Sequence, residues 1–583
     1  MCILLIVYKS KIFYNVTVKY NITCIEKEMI LVYKKVLSLM MLVCILGIVT
    51  IPSIIPAYAD VSSEDSITDI IGCDCNGAWV DDMVPVLDSS VSVFSNDVNG
   101  ALPSTVDLSA SESFPCIRDQ GNSNSCVGWA TTYYQFGYQV ATMNDWNAKT
   151  DTTKQFSPRW TYNFINRGYD SGCFSSEAYK FLSVHGAVRY SEFTPSTNGS
   201  QYEHTAWYVD KEDTINALRY RVSDYQRYYF SESTDNTPIT SYNDTELYNM
   251  KRWLNNGNVL VISTDSIVWV LDKLPEMSSN AGEHVCIRHE DRDHGRSGHA
   301  MAVVGYDDNI QYDLNGDGII QDYEKGAFKV ANSIGNKYCN RGFIWVMYDA
   351  LNKESNTEEQ NIGIRNAIFE DYSYYVITVS EYPLELVAEV SITATARNQT
   401  TINLKSSDWN SFAPQDEVGT LFSGLGGALS FSGLENVSET ATFPFDLGSV
   451  VESSASWKNY YIEVIDDSTN NNRTVINRID ILDSNGEYVV SDTDTKIIDG
   501  TNSCYRYMIG LVGDVNNSGS VNTFDVTALQ SYLANGSTLS TPILKVSDVN
   551  DDGDVNSFDV TCIQRVLAGI NSGFDKGIYT ILE

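Results

Sequence analysis

Two kinds of residue in this chain stand where chemistry can be done: a cysteine at the start of an apolar-periodic stretch, and carboxylates at the spacing of cation loops. Cys126 closes the polar run Arg118-Asp119-Gln120-Gly121-Asn122-Ser123-Asn124-Ser125 and opens a stretch in which Trp129, Ala130, Tyr133, Tyr134, Gly137 and Val140 recur at helical spacing. The pattern predicts a buried helix with Cys126 in its first turn and Ser125 near the cap. Unpaired N–H groups and the positive end of the helix dipole favour thiolate over thiol at that place, and the thiolate is the nucleophile. In Asp313-Leu314-Asn315-Gly316-Asp317-Gly318-Ile319-Ile320-Gln321-Asp322-Tyr323-Glu324, oxygen ligands at positions 1, 3 and 5, Gly at 6, an apolar residue at 8 and Glu at 12 fit a twelve-residue calcium loop. Its expected ligands are Asp313, Asn315, Asp317, the Ile319 carbonyl and Glu324.

Asp119-Gln120-Gly121 with Cys126 five residues on, behind Leu102-Pro103-Ser104-Thr105-Val106-Asp107, resembles the start of a papain-like cysteine peptidase. Gly298-His299-Ala300-Met301-Ala302-Val303-Val304-Gly305-Tyr306 is similar to that family's histidine block, and Gly326-Ala327-Phe328-Lys329-Val330-Ala331-Asn332-Ser333-Ile334-Gly335, with Gly342-Phe343-Ile344-Trp345-Val346 behind it, to its asparagine block. The resemblance covers roughly residues 102 to 350 and keeps the family's order Gln, Cys, His, Asn. It implies that Cys126 is the nucleophile, that His299 takes and returns its proton, and that the Asn332 side chain orients the imidazole. It further implies that Gln120, six residues before the cysteine, donates to the oxyanion with the Cys126 backbone N–H. Three features depart from the pattern. Val127-Gly128 precedes Trp129 where relatives usually have Trp directly, Ile334 stands where a Trp commonly shields the Asn, and Ser123 replaces a disulfide cysteine. Cys173 then lacks its expected partner, for which Cys116 is a substitute.

His284, His289, His294 and His299 recur every five residues beside Cys286, Glu290, Asp291 and Asp293, which invites a zinc reading. A five-residue step sends successive side chains to opposite faces of a strand, or about 140° apart on a helix, so regular structure would not gather them. Only His299 leads into an apolar strand; the others read as a solvated loop, with His294 the fallback base.

Near the end two similar loops occur 34 residues apart, each running into an apolar-periodic helix. The first offers Asp514, Asn516, Ser518, Ser520 and Asp525, the second Asp548, Asn550, Asp552, Asp554 and Asp559. Paired Asp-terminated loops followed by Phe-Asp-Val-Thr resemble a dockerin, which implies two calcium ions and a cohesin-bearing scaffold as partner, as in a cellulosome. The near-duplicate helix faces make binding in two orientations conceivable.

The 583 residues, 43% hydrophobic and 20% charged, suffice for several cores. Lys and Arg number 39 against 75 Asp and Glu, a net charge of −36, which leaves no basic surface for a nucleic acid. Lys34 and Lys35, the apolar run Val36 to Ile51, and Ala57-Tyr58-Ala59 have the order of a secretory signal cleaved after Ala59, with Met29 as a natural start. The run is short for a membrane span, so no membrane association is expected once the signal is removed. Of 12 cysteines, Cys2, Cys24 and Cys44 precede the cut, and the odd remainder implies an unpaired thiol.

The expected architecture is multidomain. A signal region (1–59) and a propeptide-like or linker segment (60–101) precede an α+β papain-like peptidase of a helical and a β-barrel-like subdomain (102–352). An all-β sandwich-like domain (353–508), a small all-α calcium-binding dockerin with paired EF-hand-like loops (509–572) and a tail (573–583) follow. Strand alternation at Val390, Ile392, Ala394 and Ala396, the run Tyr461 to Ile465, and Asn485-Gly486 between two apolar runs support the β reading. The resulting expectation is a secreted, calcium-dependent thiol peptidase acting on proteins or peptides without an organic cofactor. A silent homologue acting as a binding or inhibitory subunit, and a thiol acyltransferase that cross-links amines, are the alternatives.

Overall fold

The computed structural model describes residues 86–87, 101–195, 203–229, 244–289, 298–351, 373–414, 416–419, 425–450, 456–467, 469, 472–536, 540–570 and 579–582. The expected signal region, most of the 60–101 segment and His294 lie outside the described residues.

The helix that opens at Cys126 runs over residues 126–143, α-helical at Cys126–Gly128, π-helical at Trp129–Phe136 and α-helical again at Gly137–Met143. Its apolar residues are buried, and so are the polar ones between them: Thr131, Thr132 and Gln135 are fully enclosed. They can be, because each is paired. Thr131 Oγ1 donates to Val127 O at 2.7 Å and Thr132 Oγ1 to Thr161 Oγ1 at 2.7 Å. Gln135 Nε2 donates to Val259 O at 2.8 Å and Tyr375 O at 3.0 Å, while its Oε1 accepts from Tyr179 at 2.7 Å. A buried polar group left unmade costs about 1–3 kcal/mol, so these bonds are what lets the helix be wrapped on all sides. Gly128 marks the crossing with the helix Pro158–Ile165, since a Cβ there would stand 2.5 Å from Pro158 O. The Val127-Gly128 departure therefore has a packing reason.

This helix packs on the strand Gly298–Gln311 of a ten-stranded sheet. The strand order is Val86–Leu87, Tyr220–Tyr229, Ser373–Glu381, Leu260–Asp265, Gly298–Gln311, Lys325–Ala331, Phe343–Met347, His284–His289 and Trp269–Lys273, with Thr105–Asp107 beside Gly298–Gln311. Its two end strands are not paired with each other among the described residues, so where a barrel-like half was expected the sheet is open, and its edges are blunted by short strands. The helices Pro158–Ile165 and Ser175–His185 share the core of the central helix. Among the described residues no helix is long and apolar enough to cross a membrane.

Ser373–Glu381, beyond the boundary expected at 352, pairs along its length with Tyr220–Tyr229 and belongs to this sheet. Tyr374, Tyr375, Val376 and Ile377 are buried, as a strand covered on both faces must be. Motif content alone places the break at 352; the hydrogen-bond ladder carries the first domain past it.

The following segment forms two five-stranded sheets, one centred on Leu386–Ala394 and Thr474–Asp483, the other on Thr400–Asp408, Lys458–Asp466 and Asn502–Leu511. Val390, Ile392 and Ile479 from the first share a core with Ile402, Leu404 and Ile462 from the second. Asn485-Gly486 turns between Thr474–Asp483 and Tyr488–Asp492, Gly486 at φ +79°. Tyr579–Ile581, from the expected tail, adds a strand to Asn502–Leu511. The last unit has helices Thr523–Asn535, Thr541–Ser547 and Ser557–Leu567 around Val515, Leu529, Val560 and Ile563.

The first sheet and the β domain are joined by a buried ion pair, Arg221 to Asp446 at 2.5 Å, with the two side chains 1% and 2% exposed. Burial holds the Asp446 carboxyl above the usual range although the guanidinium and the Gly448 N–H both favour its charged form. Removing one partner strands the other charge, so Asp446→Ala is expected to cost about 3–5 kcal/mol, read by urea denaturation. A change within about 0.5 kcal/mol would show that the pair does not hold the interface.

Candidate functional site

Cys126 is the first residue of its helix. Ser125 occupies the cap position but makes no side-chain cap bond, so the orphan N–H groups of the first turn are not answered by its hydroxyl. Cys126 and His299 are fully buried, Asn332 is 2% and Gln120 4% exposed. His299 lies at the start of Gly298–Gln311, the strand on which the Cys126 helix packs, opposite Thr264 in the register. Asn332 follows the neighbouring strand Lys325–Ala331, whose antiparallel pairing, Ala331 opposite Ala302, brings it to the same end of the sheet as His299. His299 Nε2 and Asn332 Oδ1 are 2.8 Å apart. Asn332 Oδ1 accepts, so Nε2 donates, which leaves Nδ1 as the basic nitrogen of the neutral ring.

The asparagine is held from several directions. Asn332 N donates to Gly342 O at 2.9 Å, its carbonyl accepts from Tyr134 at 2.9 Å, and Oδ1 also accepts from Ser333 N at 2.7 Å. Tyr338 close by is buried, and desolvation pushes its phenol well above its ordinary pKa. Ile334 pairs its backbone with Asp119 as an antiparallel bridge. That bridge draws the Gln120 loop to the asparagine: Gln120 N donates to Ser333 O at 2.7 Å and Ser333 Oγ to Gln120 Oε1 at 2.5 Å. The amide is thereby oriented, with Nε2 turned away from Ser333 and donating to Ser123 O at 2.6 Å. An amide nitrogen carries two hydrogens, so this bond is compatible with a second one to an oxyanion.

Tyr134, Ser333 and Tyr338 escape a reading of the sequence because nothing in their spacing marks them. Cys116, proposed as a substitute for a disulfide partner, has its sulfur 3.6 Å from Tyr133 Oη and 3.8 Å from Gln155 Nε2. His284, expected in a solvated loop, instead opens the strand His284–His289, where its N–H and Asn340 Oδ1 are bonded at 2.6 Å. Cys286 is buried in that strand, its thiol pushed up by desolvation.

The loop 313–324 joins two antiparallel strands, Gly298–Gln311 and Lys325–Ala331, instead of two helices. Asp313 accepts from Gly316 N and Gly318 N, each at 2.8 Å, and Asn315 and Asp317 cap Asp317 N and Ile319 N at 2.9 and 2.7 Å. Glu324, fully buried, accepts from Leu314 N, Asn315 N and Gln321 N at 2.8, 3.2 and 2.9 Å. These carboxylates brace the loop's own backbone. Among the described residues no three His, Cys, Asp or Glu side chains converge as a metal cluster.

The two C-terminal loops repeat each other in detail. Asp514 accepts from Ser518 N and Gly519 N at 2.9 Å each, and Asp548 from Asp552 N and Gly553 N at 3.1 and 2.9 Å. Asn522 and Asn556 cap the helices in capping boxes with Asp525 and Asp559. Asp514, Asp525 and Asp559 are fully buried. Desolvation raises the Asp525 carboxyl, helped by the charge of Asp514, and likewise Asp559, helped by Asp548. Buried like charges with neutral oxygens at Asn516, Ser518, Asn550 and the chain carbonyls form a donor set that suits a hard divalent cation.

Residues 512–568 match the family described as Dockerin type I domain. No curated protein matches the chain. Among solved structures, proCathepsin B S9 from Trypanosoma congolense is similar at 14% identity and a TM-score of 0.35, over 53% of this chain and 87% of that one. Xylellain, a cysteine protease from Xylella fastidiosa, is similar at 17% identity and a TM-score of 0.33, over 52% of this chain and 96% of that one. The bromelain protease from Ananas comosus in complex with the E64 inhibitor gives 13% and 0.29, over 48% and 99%.

Proposed function

We propose that this chain is an exported papain-like cysteine peptidase that its C-terminal dockerin docks onto a cohesin-bearing scaffold of an extracellular multienzyme complex. The observation that carries the first half is the 2.8 Å bond between His299 Nε2 and Asn332 Oδ1, on the strands against which the Cys126 helix is packed. The second half rests on the type I dockerin match at 512–568.

In this reading His299 Nδ1 takes the Cys126 proton, and the thiolate adds to the carbonyl carbon of a peptide. Gln120 and the Cys126 backbone N–H hold the oxyanion. The imidazolium, kept in orientation by Asn332, returns the proton to the leaving nitrogen as the C–N bond breaks, and a thioester remains. Water, giving a proton to His299, adds to the thioester; collapse expels the thiol and frees the acid. Asp514, Asn516, Ser518, Ser520 and Asp525, and Asp548, Asn550, Asp552, Asp554 and Asp559, would hold calcium ions whose charge would stiffen the two dockerin loops. A third at Asp313, Asn315, Asp317, Ile319 and Glu324 would stiffen the hairpin that leads to Asn332.

One observation favours a second reading. Cys126 and His299 are 0% exposed. A silent, protease-shaped binding subunit would have no need of an open thiol. Labelling of the mature chain with a thiol-directed peptide electrophile separates the two: selective modification of Cys126, lost in His299→Ala, is expected of the enzyme. Labelling spread over several cysteines, or undiminished in the variant, would favour the silent subunit.

A further inference from the structure

We infer that a recess beside Cys126 is a binding site for a cationic group of the substrate peptide, an inference that rests on the peptidase reading. The recess is lined by Gln120 and Ser125, which precede the nucleophile in the chain, and by Arg159, Asn163, Glu203 and His204. Two acceptors in its wall are buried without a hydrogen-bond partner among the described residues, Asn163 Oδ1 and Glu203 Oε2. Asn163 is 0% and Glu203 8% exposed.

The Asn163 amide nitrogen and the Glu203 backbone carbonyl are committed. Asn163 Nδ2 donates to Glu203 O and to Ala206 O, both at 2.7 Å; only the nitrogen can donate to two carbonyls, so Oδ1 is the other end. The Glu203 carbonyl also accepts from Arg159 Nε at 2.7 Å, and the guanidinium lies 4.1 Å from the centre of the Phe193 ring. Arg159 thus serves the backbone and a ring face, its charge close enough to feel the Glu203 carboxylate, and it gives Oε2 no hydrogen bond. Asp170 holds two residues of the wall, bonded to Tyr162 Oη at 2.7 Å and 3.6 Å from His204 Nε2.

Buried acceptors without donors are costly, and most such groups in folded chains find partners. A ligand bearing N–H donors supplies the hydrogen bonds that Glu203 Oε2 and Asn163 Oδ1 lack, and a positive charge on it suits the carboxylate. An anion would meet the Glu203 carboxylate, and an apolar group would leave both oxygens unanswered. The fitting chemistry is an ammonium or guanidinium, carried either on a Lys or Arg side chain or on the free amino terminus of a peptide.

The test measures binding of matched peptides to the Cys126→Ser chain and their turnover by the wild-type chain. One arm compares Lys with norleucine near the scissile bond, the other a free with an acetylated amino terminus. A preference of about tenfold or more for the cationic member of one pair is expected, falling toward one in Glu203→Gln and reversing in Glu203→Lys. Because each ratio compares two peptides on one preparation, loss of folded protein cancels. The arm that shows the preference identifies its source. No preference in either arm, or one untouched by both substitutions, overturns the inference. Turnover without preference would leave the peptidase reading standing; preference in binding with no turnover would leave the site and remove the enzyme.

Discussion

Cys126→Ala should lower kcat/KM for peptide hydrolysis by about 10⁴-fold or more, and His299→Ala by a similar factor. The reason is mutual dependence. Without the sulfur there is no acyl acceptor, and without the imidazole neither the thiolate nor the proton for the leaving nitrogen is supplied, so the double variant should be no worse than either single one. Asn332→Ala should cost less, because His299 remains and loses only the partner that holds Nε2 at 2.8 Å. Its mark should be in kcat more than in KM, since it acts on the ring and leaves substrate contacts in place. Cys126 is fully buried, so each variant is compared by thermal melting before rates are read. Residual rates within tenfold of wild type in the well-folded Cys126→Ala chain would end the nucleophile assignment.

Chelation of calcium should abolish binding to a cohesin and lower the melting temperature of the C-terminal unit. Without a cation, Asp525 faces the charge of Asp514, and Asp559 that of Asp548, in partly dehydrated loops. A cation held a hundredfold above its dissociation constant stabilises by about 2.7 kcal/mol per site. The first loop has a built-in reporter. Ser456 Oγ donates to Asp514 Oδ2 at 2.5 Å, Trp457 N to Asn517 Oδ1 at 2.7 Å, and the Trp457 indole to Asp514 O at 2.9 Å. Trp457 is 4% exposed and packs edge-on to Trp409, so loosening of that loop should change indole fluorescence. Asp514→Ala should reproduce the fluorescence change and Asp548→Ala should not. Unchanged melting and retained cohesin binding in chelator would sink the calcium claim.

The exposed Phe524 and Phe558, each two residues after a capping Asn and 73% and 66% exposed, are where the duplication shows on the surface. That symmetry was visible in the chain as a 34-residue repeat, because a loop's ligand spacing and the cap that follows it are set by residues within a dozen positions of one another. The same locality made Cys126 at a helix start, the alternation of Val390 to Ala394, and the Asn485-Gly486 turn legible. Other features arise from pairs with no local trace. Arg221 and Asp446 stand 225 positions apart, and each alone reads as an ordinary surface charge. Ser373–Glu381 joins the first sheet only through partners more than a hundred residues upstream. Gln135 could be enclosed only because three distant groups, at Val259, Tyr375 and Tyr179, meet it. Spacing along the chain records which side chains share a turn or a strand face; whether a buried polar atom finds a partner, as Gln135 does and Glu203 Oε2 does not among the described residues, is settled only when remote segments are packed together.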